Sequence, residues 1–253
     1  FRSAMAFWAG ALALQFLVLV PGIGVTVGGN TNWLAIGGLT LQPSELMKLG
    51  IILALATHLS PNLDDLWDWR KGARPLAIFG LAPAGLIYFT SGDLGTTLVI
   101  VAFVLLLAFL IGMPWNILGA FFGAGAFIVL VLAVTSPNRL RRIFSFLGQE
   151  DVGTDINWQY EHGTWALASG GLFGTGLGDS KMKWGWIPEV ENDFIFSIIG
   201  EEVGLLGAVV VVVLFFMLAR YIRRVSLNAT TSFGAIAVTG VMLWITLQAF
   251  INI

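Results

Sequence analysis

The chain has 253 residues, 57% of them hydrophobic and only 11% charged, with a net charge of −2. A soluble domain carries about twice that share of charge, and a nucleic-acid binder would show a basic surface, so both classes are excluded. The absence of cysteine also excludes disulfides, thiolate metal sites and a cysteine nucleophile.

Apolar runs of about twenty residues recur from end to end, the pattern of an all-α polytopic membrane protein. A β-barrel would show short alternating segments instead. Seven transmembrane helices are expected, at about 4–20, 43–59, 75–90, 95–111, 115–134, 193–220 and 231–253. They form a single integral-membrane domain over 1–253. The chain begins at Phe1 and stops inside the apolar run Gly234–Ile253, so it is expected to be a fragment with further spans at both ends.

Span two opens on Gln42-Pro43-Ser44-Glu45, with proline at the first helical position and an acid in the first turn. Glu45 and Lys48 share a helix face. Lys48 lies about one turn inside the membrane and needs a partner; Glu45 is the obvious one. The pair is either a structural ion pair that fixes helix packing or part of a substrate site. Asp93, in Ser91-Gly92-Asp93-Leu94-Gly95-Thr96, reads first as a turn and helix cap.

Residues 135–192 form a long polar segment rich in Gly and Trp, and a loop of this length is more often functional than decorative. Its run Gly170-Gly171-Leu172-Phe173-Gly174-Thr175-Gly176-Leu177-Gly178 lacks the Lys and Ser/Thr of a nucleotide-binding loop. Two uses remain open: N–H groups offered to a pyrophosphate, with Lys181 and Lys183 supplying charge, or a tight re-entrant turn. Trp184 and Trp186 fit an interfacial belt or packing against a sugar ring. His58 and His162 have no metal-ligand spacing.

The segment Pro188-Glu189-Val190-Glu191-Asn192-Asp193-Phe194-Ile195-Phe196 sets a cluster of carboxylates at the mouth of span six. Asp193 serves as a helix N-cap or as a general base. Glu189 and Glu191 favour the second role, because clustered carboxylates hold protons more tightly. Ser197 and Glu201 follow on the same face, with Glu201 about 12 Å deeper than Asp193. Glu201 and Glu202 must line a cavity or pair with cations.

Arg2, Arg70, Lys71, Arg74, Arg220, Arg223 and Arg224 fall on one side of a back-and-forth chain, and the positive-inside rule makes that side cytoplasmic. The connections 21–42, 91–94 and 135–192 then face outward. Arg139, Arg141, Arg142, Lys181 and Lys183 count against this orientation, but long translocated segments obey the rule less strictly.

Taken in order, Gln42-Pro43-Ser44-Glu45-x-x-Lys48, Asp93-Leu94-Gly95-Thr96, Trp158-Gln159 with Ser169-Gly170-Gly171-Leu172-x-Gly174-x-Gly176, and Pro188-Glu189-x-x-x-Asp193-Phe194-Ile195-Phe196 with Gly200-Glu201-Glu202-x-Gly204-Leu205-Leu206-Gly207 resemble the FtsW/RodA family of shape, elongation, division and sporulation proteins. The resemblance covers essentially the whole chain. Pro21-Gly22-Ile23-Gly24 and Lys183-Trp184-Gly185-Trp186-Ile187-Pro188-Glu189 look more like the division branch, FtsW, than RodA.

The resemblance implies a ten-helix fold with cytoplasmic termini, of which this chain lacks the first two helices, part of the ninth and all of the tenth. It implies that 135–192 is the family's large extracytoplasmic loop. It also implies a peptidoglycan glycosyltransferase that polymerises lipid II, a polyprenyl-pyrophosphate-linked glycan, at the outer face of the bacterial cytoplasmic membrane, at the division septum. The partners implied are a class B penicillin-binding protein and other divisome proteins.

The essential acid of the family maps onto Asp193, and its conserved Glu and Lys onto Glu45 and Lys48. Two positions depart from the pattern: Asn32 stands before Trp33 where a basic residue is usual, and Ser91-Gly92 replace Gln-Pro. The implied chemistry needs cations for the leaving pyrophosphate. Lys48, Arg139, Arg141, Arg142, Lys181 and Lys183 are the candidates, alone or with a divalent cation (Mg or Mn) held by carboxylates. Glu189, Glu201, Glu202 and Asp93 would support the site. A flippase for lipid-linked precursors and a non-catalytic scaffold for a transpeptidase are the competing classes. The acids concentrate toward the outer side, which favours chemistry there over transport through the membrane depth.

Overall fold

The computed structural model describes residues 2–27, 30–134, 154–181 and 194–253. Each of the seven expected spans holds a helix: α1 (Arg2–Leu17), α2 (Pro43–Leu59), α3 (Ala82–Ser91), α4 (Leu94–Leu110), α5 (Trp115–Val134), α7 (Ile195–Leu227) and α8 (Ser232–Asn252). A further helix, α6 (Thr154–Ser169), lies inside the segment read as a long loop. Two π-helical turns, Trp69–Ala73 and Leu76–Leu81, run into α3. Among the described residues five helical stretches are long and apolar enough to cross a membrane, and Leu94–Leu110 is a shorter apolar helix. The protein is an all-α polytopic membrane protein.

The connection 21–42, read from the sequence only as an outer loop, contains a three-stranded antiparallel sheet. Its strands are β1 (Gly24–Val27), β2 (Asn30–Ile36) and β3 (Leu39–Leu41). Ile36 pairs with Leu39 across Gly37-Gly38, both with positive φ, the backbone that a two-residue hairpin turn requires.

The chain divides into two compact units: 1–122 with 219–248, and 123–218 with 249–253. In the first, α2 is central. Met47, Ile51, Ile52, Leu55 and Leu59 are fully buried and pack with Leu76, Ile87, Ile100, Phe103, Val104, Leu107 and Ile236. α8 approaches α2 closely, so that a Cβ on Gly240 would meet Ile52 at 2.7 Å; small residues let membrane helices pack in this way. The turn from α3 to α4 is set by Gly92 at φ 71°, a left-handed C-cap, and by Asp93. The Asp93 carboxylate accepts from the Thr96 N–H at 2.9 Å and the Thr96 hydroxyl at 2.7 Å.

In the second unit, α6 packs on the N-terminal half of α7 through small residues. A Cβ on Gly163 would meet the Phe194 ring at 2.8 Å, and one on Gly170 would collide with the Gly200 carbonyl.

Candidate functional site

Lys48 sits in the second turn of α2 with its side chain 3% exposed. Its Nζ donates to Glu45 Oε1 at 2.7 Å and to Gln248 Oε1 of α8 at 2.9 Å. It also lies 5.5 Å from the centre of the Trp244 ring, within cation–π range. Trp244 Nε1 donates to the same Gln248 oxygen at 2.8 Å. Two donors therefore fix which way the Gln248 amide faces and leave its NH₂ directed away from Lys48. Glu45 keeps 38% of its side chain exposed. One residue earlier, Ser44 buries its hydroxyl without a hydrogen-bond partner.

The sheet docks beside this region. Asn32 Nδ2 donates to Asp93 Oδ2 at 3.0 Å, while Asn32 Oδ1 is buried and unpaired. Asn32 thus meets the turn that carries Ser91-Gly92. Gln15 of α1 reaches the same turn, donating to Thr90 and Ser91 at 2.8 and 2.9 Å.

In the second unit the backbone of α7 breaks at Gly204, with φ 77° and ψ −173°. In an unbroken helix the Leu205 and Leu206 N–H groups would bond the carbonyls of Glu201 and Glu202. Here they donate to the Gly171 and Leu172 carbonyls at 2.9 and 3.3 Å. The Glu201 and Glu202 carbonyls instead accept from the Thr175 and Gly176 N–H groups at 2.9 and 3.1 Å. The glycine-rich loop has been grafted into the helix ladder. Broken helices persist in membranes only where neighbouring groups satisfy the freed backbone in this way.

The approach is so close that a Cβ on Gly174, at φ 83°, would collide with the Glu202 carbonyl oxygen. These loop N–H groups face α7, which favours the re-entrant-turn reading of the glycine run over the pyrophosphate cradle.

Glu201 completes the graft. It is 2% exposed; Oε2 accepts from Ser180 Oγ at 2.6 Å and Oε1 from the Lys181 backbone N–H at 2.9 Å. Lys181 itself is exposed. Of the residues expected to act, Glu45, Lys48 and Asp93 fall in the first unit and Lys181, Glu201 and Glu202 in the second. Asp193, Glu189, Glu191, Lys183, Arg139, Arg141, Arg142, Trp184 and Trp186 lie outside the described residues. Among the described residues no group of three His, Cys, Asp or Glu converges to hold a metal ion.

Sequence reasoning misses Gln248 and Trp244. The available signal is Lys48 itself, since a buried intramembrane cation needs polar partners from neighbouring helices. Gln248 is a polar residue between the apolar Leu247 and Ala249.

The family described as Cell cycle protein (FtsW/RodA/SpoVE) matches residues 2–253. A probable peptidoglycan glycosyltransferase FtsW of Trichlorobacter lovleyi is 35% identical over 243 residues, covering 96% of this chain and 63% of the relative. The stage V sporulation protein E of Bacillus subtilis is also 35% identical, over 95% of this chain and 65% of its own length. The chain thus spans just under two-thirds of these relatives. Among solved structures, a chain from a peptidoglycan synthase complex that coordinates polymerization and crosslinking superposes with a TM-score of 0.78 at 25% identity, covering 98% of this chain and 68% of that one. The motifs, the helical architecture and these matches agree: the chain belongs to the FtsW/RodA/SpoVE family.

Proposed function

We propose that the full-length protein is an inverting peptidoglycan glycosyltransferase that polymerises lipid II on the outer face of the cytoplasmic membrane. The observation that carries this reading is the Lys48 site. A buried cation stands at the end of α2 opposite the basic connection that holds Arg70, Lys71 and Arg74. Its carboxylate partner Glu45 is exposed enough to swing away, and the Ser44 hydroxyl beside it is unpaired. A buried unpaired hydroxyl costs about 1–3 kcal/mol, a cost that a bound ligand would relieve.

In the proposed reaction the 4-hydroxyl oxygen of one lipid-linked glycan attacks the anomeric carbon of another. The bond from that carbon to the pyrophosphate oxygen breaks, and the pyrophosphate leaves with the electron pair. Asp193 takes the hydroxyl proton. Lys48 offers its remaining N–H to the departing pyrophosphate, where negative charge builds; Lys181, Lys183, Arg139 and Arg142 are further candidates for that task. Glu201 anchors the loop that precedes Asp193. A divalent cation would add charge stabilisation at the pyrophosphate, with ligands drawn from the Glu189–Asp193 cluster. The polyprenyl tail stays in the membrane.

The septal role is supported by likeness to the FtsW relatives. A class B penicillin-binding partner is supported by likeness to a chain of a synthase complex. A fluorescent fusion confined to the lateral wall would move the role from division to elongation.

The deciding experiment uses the full-length protein with its transpeptidase partner and labelled lipid II. Polymer from wild type and none from a folded Asp193→Asn variant is the expected outcome. Near-normal polymer from the variant would sink the base assignment. No polymer from either, with lipid II crossing vesicle membranes, would identify a transporter.

A further inference from the structure

The opposite end of the first unit holds a cavity of about 570 Å³. It opens where α4 and α7 end and α8 begins, on the side of the basic connections. Arg223, Thr230 and Ser232 stand at this polar mouth beside Leu110, and Ile236 and Met242 line the deeper wall. Along α8 the lining runs from Ser232 to Met242, about 15 Å of helix, so the cavity extends from the aqueous end into the membrane.

Its polarity is graded. The Ser226 and Thr239 hydroxyls, midway along, bond each other at 2.7 Å and the Ala235 carbonyl at 3.1 and 2.8 Å, so the deeper polar groups are already engaged. Arg223 is exposed and forms no ion pair among the described residues. Arg220, three residues earlier, shares its helix face. None of the described lining residues is acidic.

We propose that this cavity binds one anionic phospholipid of the cytoplasmic leaflet, with its phosphate on Arg223 and an acyl chain along the Ile236–Met242 wall. Basic pockets between membrane helices on the cytoplasmic side suit such headgroups, and the guanidinium fork matches two phosphate oxygens. A soluble phosphate would use the mouth but not the apolar wall. A choline headgroup would bring a cation against Arg223 and its neighbour Arg220.

The test is native mass spectrometry of the delipidated full-length protein, titrated separately with dioleoyl-phosphatidylglycerol, dioleoyl-phosphatidylcholine and glycerol 3-phosphate. One phosphatidylglycerol should be retained about tenfold more tightly than phosphatidylcholine, the scale of one hydrogen-bonded charge. R223Q should erase that preference at unchanged melting temperature, whereas R70Q, a control outside the cavity, should keep it. Ile236→Trp, which fills the wall with Arg223 intact, should also lose the lipid. Equal binding of the two lipids, or equal losses in R223Q and R70Q, would overturn the site. Glycerol 3-phosphate binding as tightly as phosphatidylglycerol would show a soluble-phosphate site and overturn the lipid assignment.

Discussion

Lys48 and Glu201 are both ionisable side chains buried near the start of a membrane helix, yet they are held in opposite ways. Lys48 is gripped by side chains, one of them the partly exposed Glu45, and one of its N–H groups is left over. Glu201 is gripped by a hydroxyl and a backbone N–H, one on each carboxylate oxygen, and is nearly sealed from solvent. The first arrangement can trade a partner for a ligand. The second cannot do so without undoing the loop. An intramembrane charge is by default a functional candidate, and partner identity is what separates a recruitable charge from an anchoring one.

Four substitutions would break or sharpen that contrast. The largest expected effect is on activity. Lys48→Met should lower polymerisation by about 10²–10³-fold, the usual loss when one preorganised electrostatic contact is removed, while the protein stays in the membrane. Loss of the protein from the membrane instead would make Lys48 a structural residue.

Next is Gly174→Val. It places a branched side chain at a positive φ against the Glu202 carbonyl and should destabilise by about 3 kcal/mol, measured by thermal unfolding in detergent. Glu201→Ala removes the acceptor of the Ser180 hydroxyl and the Lys181 N–H, at about 2 kcal/mol. Its melting temperature should fall together with its activity, whereas in Lys48→Met activity should fall alone. The smallest is Asp93→Ala, which removes the α4 cap at about 1 kcal/mol; an unchanged melting temperature would show that the cap is dispensable.

Much of the helical frame was legible because an uncharged apolar run of about twenty residues matches the thickness of a bilayer and suits little else. Asp93 as a cap was legible from its spacing to Thr96, and the Glu45–Lys48 contact from helical periodicity. The sheet was not. Its strands are short and partly polar, and the one strong local signal, Gly37-Gly38 between Ile36 and Leu39, sits in what reads as a loop. The partner of Lys48 lies 200 residues away, beyond the reach of any local pattern. The graft at Gly204 was hidden for the same reason: the glycines of 170–178 and those at 200 and 204 serve one contact, but nothing along the chain pairs them.

That graft also bears on how the protein is made. Residues 171–176 leave the ribosome some thirty residues ahead of Leu205 and Leu206, so the loop must wait for the second half of α7 before its backbone can pair. Until the two meet, the four N–H groups and four carbonyls of the graft lack their final partners within the bilayer boundary. The N-terminal half of α7 can therefore complete its backbone pairing only once the chain through Leu206 has been made.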